Sequence, residues 1–299
     1  MVISSFAELK TRLTSLPPRT AVVAAAHDLH TLEAVFAAQQ DGLIDPILVG
    51  HKESIQALAQ QLGRTVSPGQ IVNAGDEADC AAKSVALIRS GRGQMLIKGM
   101  LQTGSLLKAV VHKETGIRAS QVMSHVAILD VPSYHKLIFD TDGGMVIAPT
   151  LEDKRHILKN AVDFCRFLGY DRPKAAVLCA VETVNPHMPE TADAAVLKEE
   201  AARGDFGSCL VEGPISLDLA TDAEAARVKG YQSPVAGDAD ILLCPSIAAG
   251  NLLGKALYGL AGGRMAGVVL GAAVPITINS RGAAPEEKYS SILICSAMA

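Results

Sequence analysis

The chain has no tryptophan, and aromatic residues of all kinds amount to only 4%. A core without large rings has to be filled by small aliphatic side chains, and hydrophobic residues reach 49%, mostly Ala, Val, Ile and Leu. Parallel strands covered on both faces need that kind of filling, so an α/β fold is expected. An excess of one charge is also missing. With 27 Lys and Arg against 31 Asp and Glu, the net charge is −4 and there is no basic stripe, so nucleic acid is not an expected partner. No apolar run approaches about 18 residues free of charge, so no membrane contact of the spanning kind is expected. The opening "MVISSFAELKTRL" has neither an apolar core nor a cleavage site and does not read as a signal peptide. The six cysteines form no C-x-x-C pair and lie in apolar or helical surroundings without a flanking His or Lys. They are expected to be free thiols in a reducing, cytoplasmic compartment.

What is present is alternation. The segments "TAVVAAA" (20–26), "DPILVG" (45–50), "GQIVNA" (69–74) and "GQMLIKG" (93–99) read as buried strands. Between them lie helical patterns that stop at Gly63 and Gly91. Strand–helix repetition predicts right-handed crossovers, a parallel sheet and a ligand beyond the carboxyl ends of the strands. The stretch 125–149, "HVAILDVPSYHKLIFDTDGGMVIAP", has Pro and Gly turns too short for crossover helices and predicts antiparallel ribbons. At 299 residues the chain allows one large domain or two ordinary ones, with a boundary near 120–130.

Several standard signatures fail. "GNLLGKA" (250–256) is one residue short of a phosphate-binding P-loop and ends in Ala256 where a metal-binding hydroxyl belongs, so a helix start with a glycine turn is the better reading. "GLAGGRMAG" is no G-x-G-x-x-G, and there is neither a G-x-S-x-G elbow nor an H-E-x-x-H. The eight histidines lack metal-ligand spacing.

Cations and hydroxyls at strand exits remain. Lys98 ends a strand, and "LQTGSLLK" then opens a helix with Thr103, Ser105 and Lys108 in its first turns, an arrangement suited to an anion. An ordinary helix cap with an exposed lysine has the same appearance. "CPSIAAGNLLGK" repeats it with Ser246, Asn251 and Lys255, and "TINSRG" gives a third instance with Ser280 and Arg281, whose fork suits phosphate. Glu286 and Glu287 follow; one of them could act as a general base, although both begin a helix favourably in any case.

Five ordered blocks, "KGMLQTGSLLKAV", "SHVAILDVPSYHKLIFDTDGGMVIAP", "VNPHMPETADAAVL", "SPVAGDADILLCPSIAAGNLLGKAL" and "VPITINSRGAAPEEKYSSI", resemble the phosphate acetyl/butyryltransferase family, nearer its short butyryltransferase branch. The resemblance implies two α/β domains with a central cleft, as in isocitrate and isopropylmalate dehydrogenases. On that pattern one domain comprises residues 1–125 plus 280–299, and the second comprises residues 126–279, with the active site in the cleft. It implies acyl-CoA + phosphate giving acyl phosphate + CoA, the acyl group being butyryl or acetyl. CoA is then a substrate, with no covalently bound cofactor and no required metal, and the assembly is a homodimer. It also implies Ser280 and Arg281 at the cleft, and a base six residues beyond the arginine, at Glu287 with Glu286 second. Thr103, Lys108, Asn251 and Lys255 match the family's substrate-binding positions. The chain departs from the family at Val146, where Asn is frequent, and at Ser246, where Asp is frequent. Direct attack within a ternary complex fits these residues. Two rivals are weighed against it: a regulatory module that binds CoA or acyl phosphate without turnover, and a metal- and NAD-dependent decarboxylating dehydrogenase. The latter needs a cluster of aspartates, which the pair Asp140 and Asp142 does not supply.

Overall fold

The computed structural model describes residues 2–13, 17–280 and 282–299. The chain falls into two compact units: residues 6–123 with 266–299, and residues 124–265 with the N-terminal residues to Ser5.

In the first stretch, α1 (Phe6–Leu13) precedes β1 (Arg19–Ala24), α2 (Leu29–Gln40), β2 (Ile44–Gly50), α3 (Lys52–Gln61), β3 (Ile71–Asn73), α4 (Glu77–Arg89), β4 (Met95–Lys98) and α5 (Thr103–Val110). The predicted strands and helices therefore occur in the predicted order. Helix starts follow local chemistry: the carboxylates of Asp28 and Asp76 accept the N–H of Thr31 and Asp79, satisfying donors that the first turns of α2 and α4 leave unpaired. β1 pairs in parallel with β2 and β4, and β2 with β3. Val22, Val23, Leu48, Leu96 and Ile97 bury themselves between the helices.

The middle stretch opens with β5 (Ser124–Asp130) and β6 (Ile138–Thr141), which pair antiparallel as the short turns predicted. There follow α6 (Leu151–Phe167), β7 (Lys174–Leu178), α7 (Pro189–Arg203), β8 (Leu210–Ile215), α8 (Leu217–Thr221), α9 (Ala223–Val228), β9 (Ile241–Leu243) and α10 (Ile247–Gly259). This unit orders its strands β5-β6-β9-β7-β8, with parallel pairing from β6 onward. Phe139 stacks edge-on against Phe164 and Tyr170 at 5.8 and 5.6 Å, so three of the chain's few rings share one place. Residues 143–149 form no strand. The Asp142 carboxylate accepts the N–H groups of Gly144, Met145 and Val146 at 2.7, 2.8 and 3.2 Å, so that backbone is satisfied by a side chain instead of a neighbouring strand.

The chain closes with β10 (Arg264–Leu270), β11 (Ile276–Thr277) and α11 (Pro285–Met298). β11 pairs in parallel with β4 and antiparallel with β10. That pairing puts residues 266–279 with the first stretch, whereas the division drawn from the family pattern begins the return at residue 280. α11 packs on α2.

All six cysteines are free, and five are buried, with Cys179 partly so. Burial raises the thiol pKa of every one, that of Cys179 to about 11. None is a thiolate near neutral pH. No helix among the described residues is long and apolar enough to cross a membrane.

Candidate functional site

A buried polar group forms in the first unit where β4 and β11 end. Thr277 Oγ1 accepts the Lys98 N–H at 3.3 Å, tying the strands together. The Lys98 side chain is buried, and its Nζ donates to the carbonyls of Asn279 at 3.2 Å and Gly99 at 3.4 Å. A β-carbon at Gly99 would lie 2.3 Å from the Ala25 carbonyl oxygen, so only glycine lets the chain leave β4 so close to the exit of β1. Ser280 follows Asn279 and is exposed. Arg281 lies outside the described residues.

The first turn of α11 separates the two glutamates. Successive helical residues point about 100° apart, so one can face the core while the other faces water. Glu286 is exposed, whereas Glu287 is only 8% exposed. Asn279 Nδ2 donates to Glu287 Oε1 at 3.2 Å. Burial holds the Glu287 carboxyl above its usual range, while the Asn279 hydrogen bond and the Lys288 charge pull the other way. Lys288 is also buried; its Nζ donates to Thr31 Oγ1 at 2.9 Å, with Asp28 Oδ1 at 3.9 Å. Burial lowers its pKa, against the charges of Asp28 and Glu287.

The start of α5 differs from the open anion cradle expected of it. Glu77, at the start of α4, accepts the Gln102 N–H and the Ser105 hydroxyl, each at 3.1 Å. The Ser105 hydroxyl is therefore committed to a carboxylate. Thr103 is partly buried and Lys108 exposed, and neither side chain has a hydrogen bond or ion pair among the described residues.

In the second unit, Ser246 caps α10 by accepting the Ala249 N–H at 3.4 Å. Asn251 is exposed and donates its amide to the Gly143 carbonyl at 3.1 Å, holding the loop after β6 against the helix. The fit there is tight, because a β-carbon on Gly250 would sit 3.0 Å from the Asp142 carbonyl oxygen. Lys255 is exposed one turn further along, and no hydrogen bond or ion pair of its side chain occurs among the described residues. Beneath lies Asp140, whose Oδ1 accepts the Cys244 thiol at 3.2 Å and whose Oδ2 has no hydrogen-bond partner among the described residues. Burial pushes the Asp140 carboxyl up to about 7. His125 is held below its usual range by burial, against the Asp142 charge, and its Nδ1 has no hydrogen-bond partner among the described residues.

The structure thus brings Lys98, Asn279 and Glu287 together in one unit, and Ser246 and Asn251 onto one helix start in the other. Among the described residues, no group of three or more His, Cys, Asp or Glu side chains is placed to hold a metal ion. Sequence reading missed Asn279, Lys288 and Glu77. The end of the β-branched run at Asn279 was the one available signal.

The fold has counterparts. A crystal structure of a branched-chain phosphotransacylase from Enterococcus faecalis V583 superposes with a TM-score of 0.81 at 32% identity, covering 93% of this chain and 98% of that one. The fold alone is shared with a 4-hydroxythreonine-4-phosphate dehydrogenase from Klebsiella pneumoniae, at a TM-score of 0.53 and 15% identity over 94% of this chain and 100% of the other. This is the dehydrogenase-like α/β class. The phosphate butyryltransferase of Clostridium acetobutylicum is 37% identical over 298 residues, which is 100% of this chain and 99% of the relative. Residues 73–296 match the family described as phosphate acetyl/butaryl transferase. The chain belongs to that family.

Proposed function

We propose that Glu287 is the general base of the chain's acyl transfer and that Ser280, Arg281 and the cations around the β4 exit meet the charge that develops. The reaction is the reversible transfer of an acyl group between CoA and inorganic phosphate, and the chain is an acyltransferase. A CoA thiol has a pKa near that of free cysteine, about 8.5, so a base must take its proton. In the direction that makes acyl-CoA, Glu287 accepts that proton and the thiolate attacks the carbonyl of the acyl phosphate. The tetrahedral intermediate collapses with cleavage of the carbonyl–phosphate bond, and phosphate leaves. The Ser280 hydroxyl steadies the oxyanion, a role worth about 3 kcal/mol. Arg281, Thr103 and Lys108 take the phosphate. Lys98, buried with its Nζ on the Asn279 carbonyl, adds positive potential from beneath, and Ser105 steadies the start of α5 through Glu77. Asn251, Lys255 and Ser246 serve as substrate-binding residues at the start of α10. Both substrates are present before the displacement.

The observation that carries this reading is the burial of Glu287, which lifts its carboxyl toward the thiol's range while its neighbour Glu286 stays in water. A carboxylate base of raised pKa accepts a thiol proton more readily than an ordinary one. The acyl group is proposed to be short, butyryl or acetyl, and the assembly a cytoplasmic homodimer that needs no metal. The test is thiol release from acetyl-CoA and from butyryl-CoA with phosphate, for the native chain and for Glu287→Gln. Native turnover with the variant depressed by orders of magnitude supports the reading. A native chain that binds CoA without turnover is instead a regulatory module, and an unaffected Glu287→Gln moves the base elsewhere.

A further inference from the structure

Asn279 sits at the end of β11 with only 6% of its surface exposed, and its side chain is turned toward α11. Both protons of its amide are spent, one on Ser291 Oγ at 2.9 Å and one on Glu287 Oε1 at 3.2 Å. Ser291 is itself fixed: its Oγ donates to the Glu287 carbonyl at 3.1 Å and accepts the Gly267 N–H of β10 at 2.8 Å. The Asn279 carbonyl is held by Lys98 Nζ at 3.2 Å. The amide is thus clamped from β4 on its backbone side, and from α11 and β10 on its side-chain side. No other hydrogen bond to the Glu287 carboxylate occurs among the described residues.

We infer that Asn279 is the positioning residue for Glu287: its amide fixes Oε1, favours the charged carboxylate and leaves Oε2 as the oxygen that receives the substrate proton. This rests on Glu287 being the base. An amide suits the task because it donates without carrying charge, whereas a cation in its place would stabilise the carboxylate too strongly to leave it basic. Among the described residues the charge that acts on Glu287 is Lys288 on its own helix, with Asp28 at the start of α2 behind it, while Glu286 lies in water and Lys98 on β4 reaches the Asn279 carbonyl. Lys288 reinforces the amide and burial opposes it.

The experiment is the pH profile of kcat/KM for CoA with acyl phosphate, measured on the native protein, Asn279→Asp, Asn279→Ala, Ser291→Ala and Glu287→Gln. Thermal melts identify which variants fold. Losing the amide donor is expected to move the acidic limb to higher pH and to cut kcat/KM on its acidic side by about tenfold, with the KM for acyl phosphate unchanged. Asn279→Asp, which sets a second acid beside Glu287, moves the limb furthest; Ser291→Ala, which loosens the amide's anchor, moves it least. If the Asn279 variants do not fold, Ser291→Ala carries the same readout. A limb at its native position in every folded variant overturns the inference. If Glu287→Gln abolishes the limb while the Asn279 and Ser291 variants leave it in place, positioning fails and the base assignment stands. If the limb survives in Glu287→Gln, the base assignment fails as well.

Discussion

The buried ammonium of Lys288 donates to Thr31 Oγ1 at 2.9 Å, joining the start of α11 to the start of α2. Among the described residues Thr31 Oγ1 is the hydrogen-bond acceptor for this charge, since Asp28 stays at 3.9 Å. Replacing Thr31 by Val keeps the shape and removes the oxygen. We expect Thr31→Val to lose about 1–3 kcal/mol, read as a lower urea midpoint at constant slope.

Glu287 should show the opposite sign. Its pKa is raised on folding, so the native state binds more protons than the unfolded chain between the two pKa values. Stability therefore falls as pH rises through that window, and the penalty is complete above it. Glu287→Gln removes an ionisable group from a buried place and should raise the melting temperature at neutral pH while turnover collapses. A variant that is both inactive and less stable than the native protein at neutral pH would contradict this.

Asp140 gives a second pH effect in the other unit. Its ordinary pKa of about 3.9 is pushed up to about 7 by burial. The native state holds a proton that the unfolded chain has released, so stability is lost with rising pH through roughly 4 to 7. Asp140→Asn should flatten that part of the curve, as measured by urea unfolding at pH 5 and pH 8. An unchanged difference between the two pH values would assign the slope to other groups.

Glu77 already occupies the place that an anion would take at the start of α5. Glu77→Gln retains an acceptor for Ser105 and Gln102 and removes the negative charge. If phosphate approaches there, its KM should fall by a few fold in Glu77→Gln and rise in Lys108→Ala, because charge near a helix start is worth about 0.3–1 kcal/mol. Initial-rate kinetics over a phosphate series measure both.

The element order was legible because strand runs such as "TAVVAAA" and the helical spacing between them have different periods, and glycines mark the stops. The antiparallel pair β5–β6 was legible from turns too short for a crossover. The contacts that shape the site were not, because they join residues far apart in sequence. Glu77 and Ser105 are 28 residues apart, and Lys288 and Thr31 are 257 apart. The choice between Glu286 and Glu287 depends on the rotational phase of α11, which the two adjacent residues do not reveal. The loop after β6 escaped because a single carboxylate, Asp142, replaces a strand partner for three N–H groups, and a hydrophobic pattern carries no trace of that substitution.

The thiols described with the fold have a consequence for a protein whose substrate is itself a thiol. Exchange with a disulfide needs an accessible thiolate on the attacking side. Each of the six cysteines is held protonated by burial, and only Cys179 reaches even partly to the surface. Oxidised CoA therefore meets no ready nucleophile on this chain. The expected outcome is that incubation with the disulfide of CoA leaves the mass and the turnover of the enzyme unchanged.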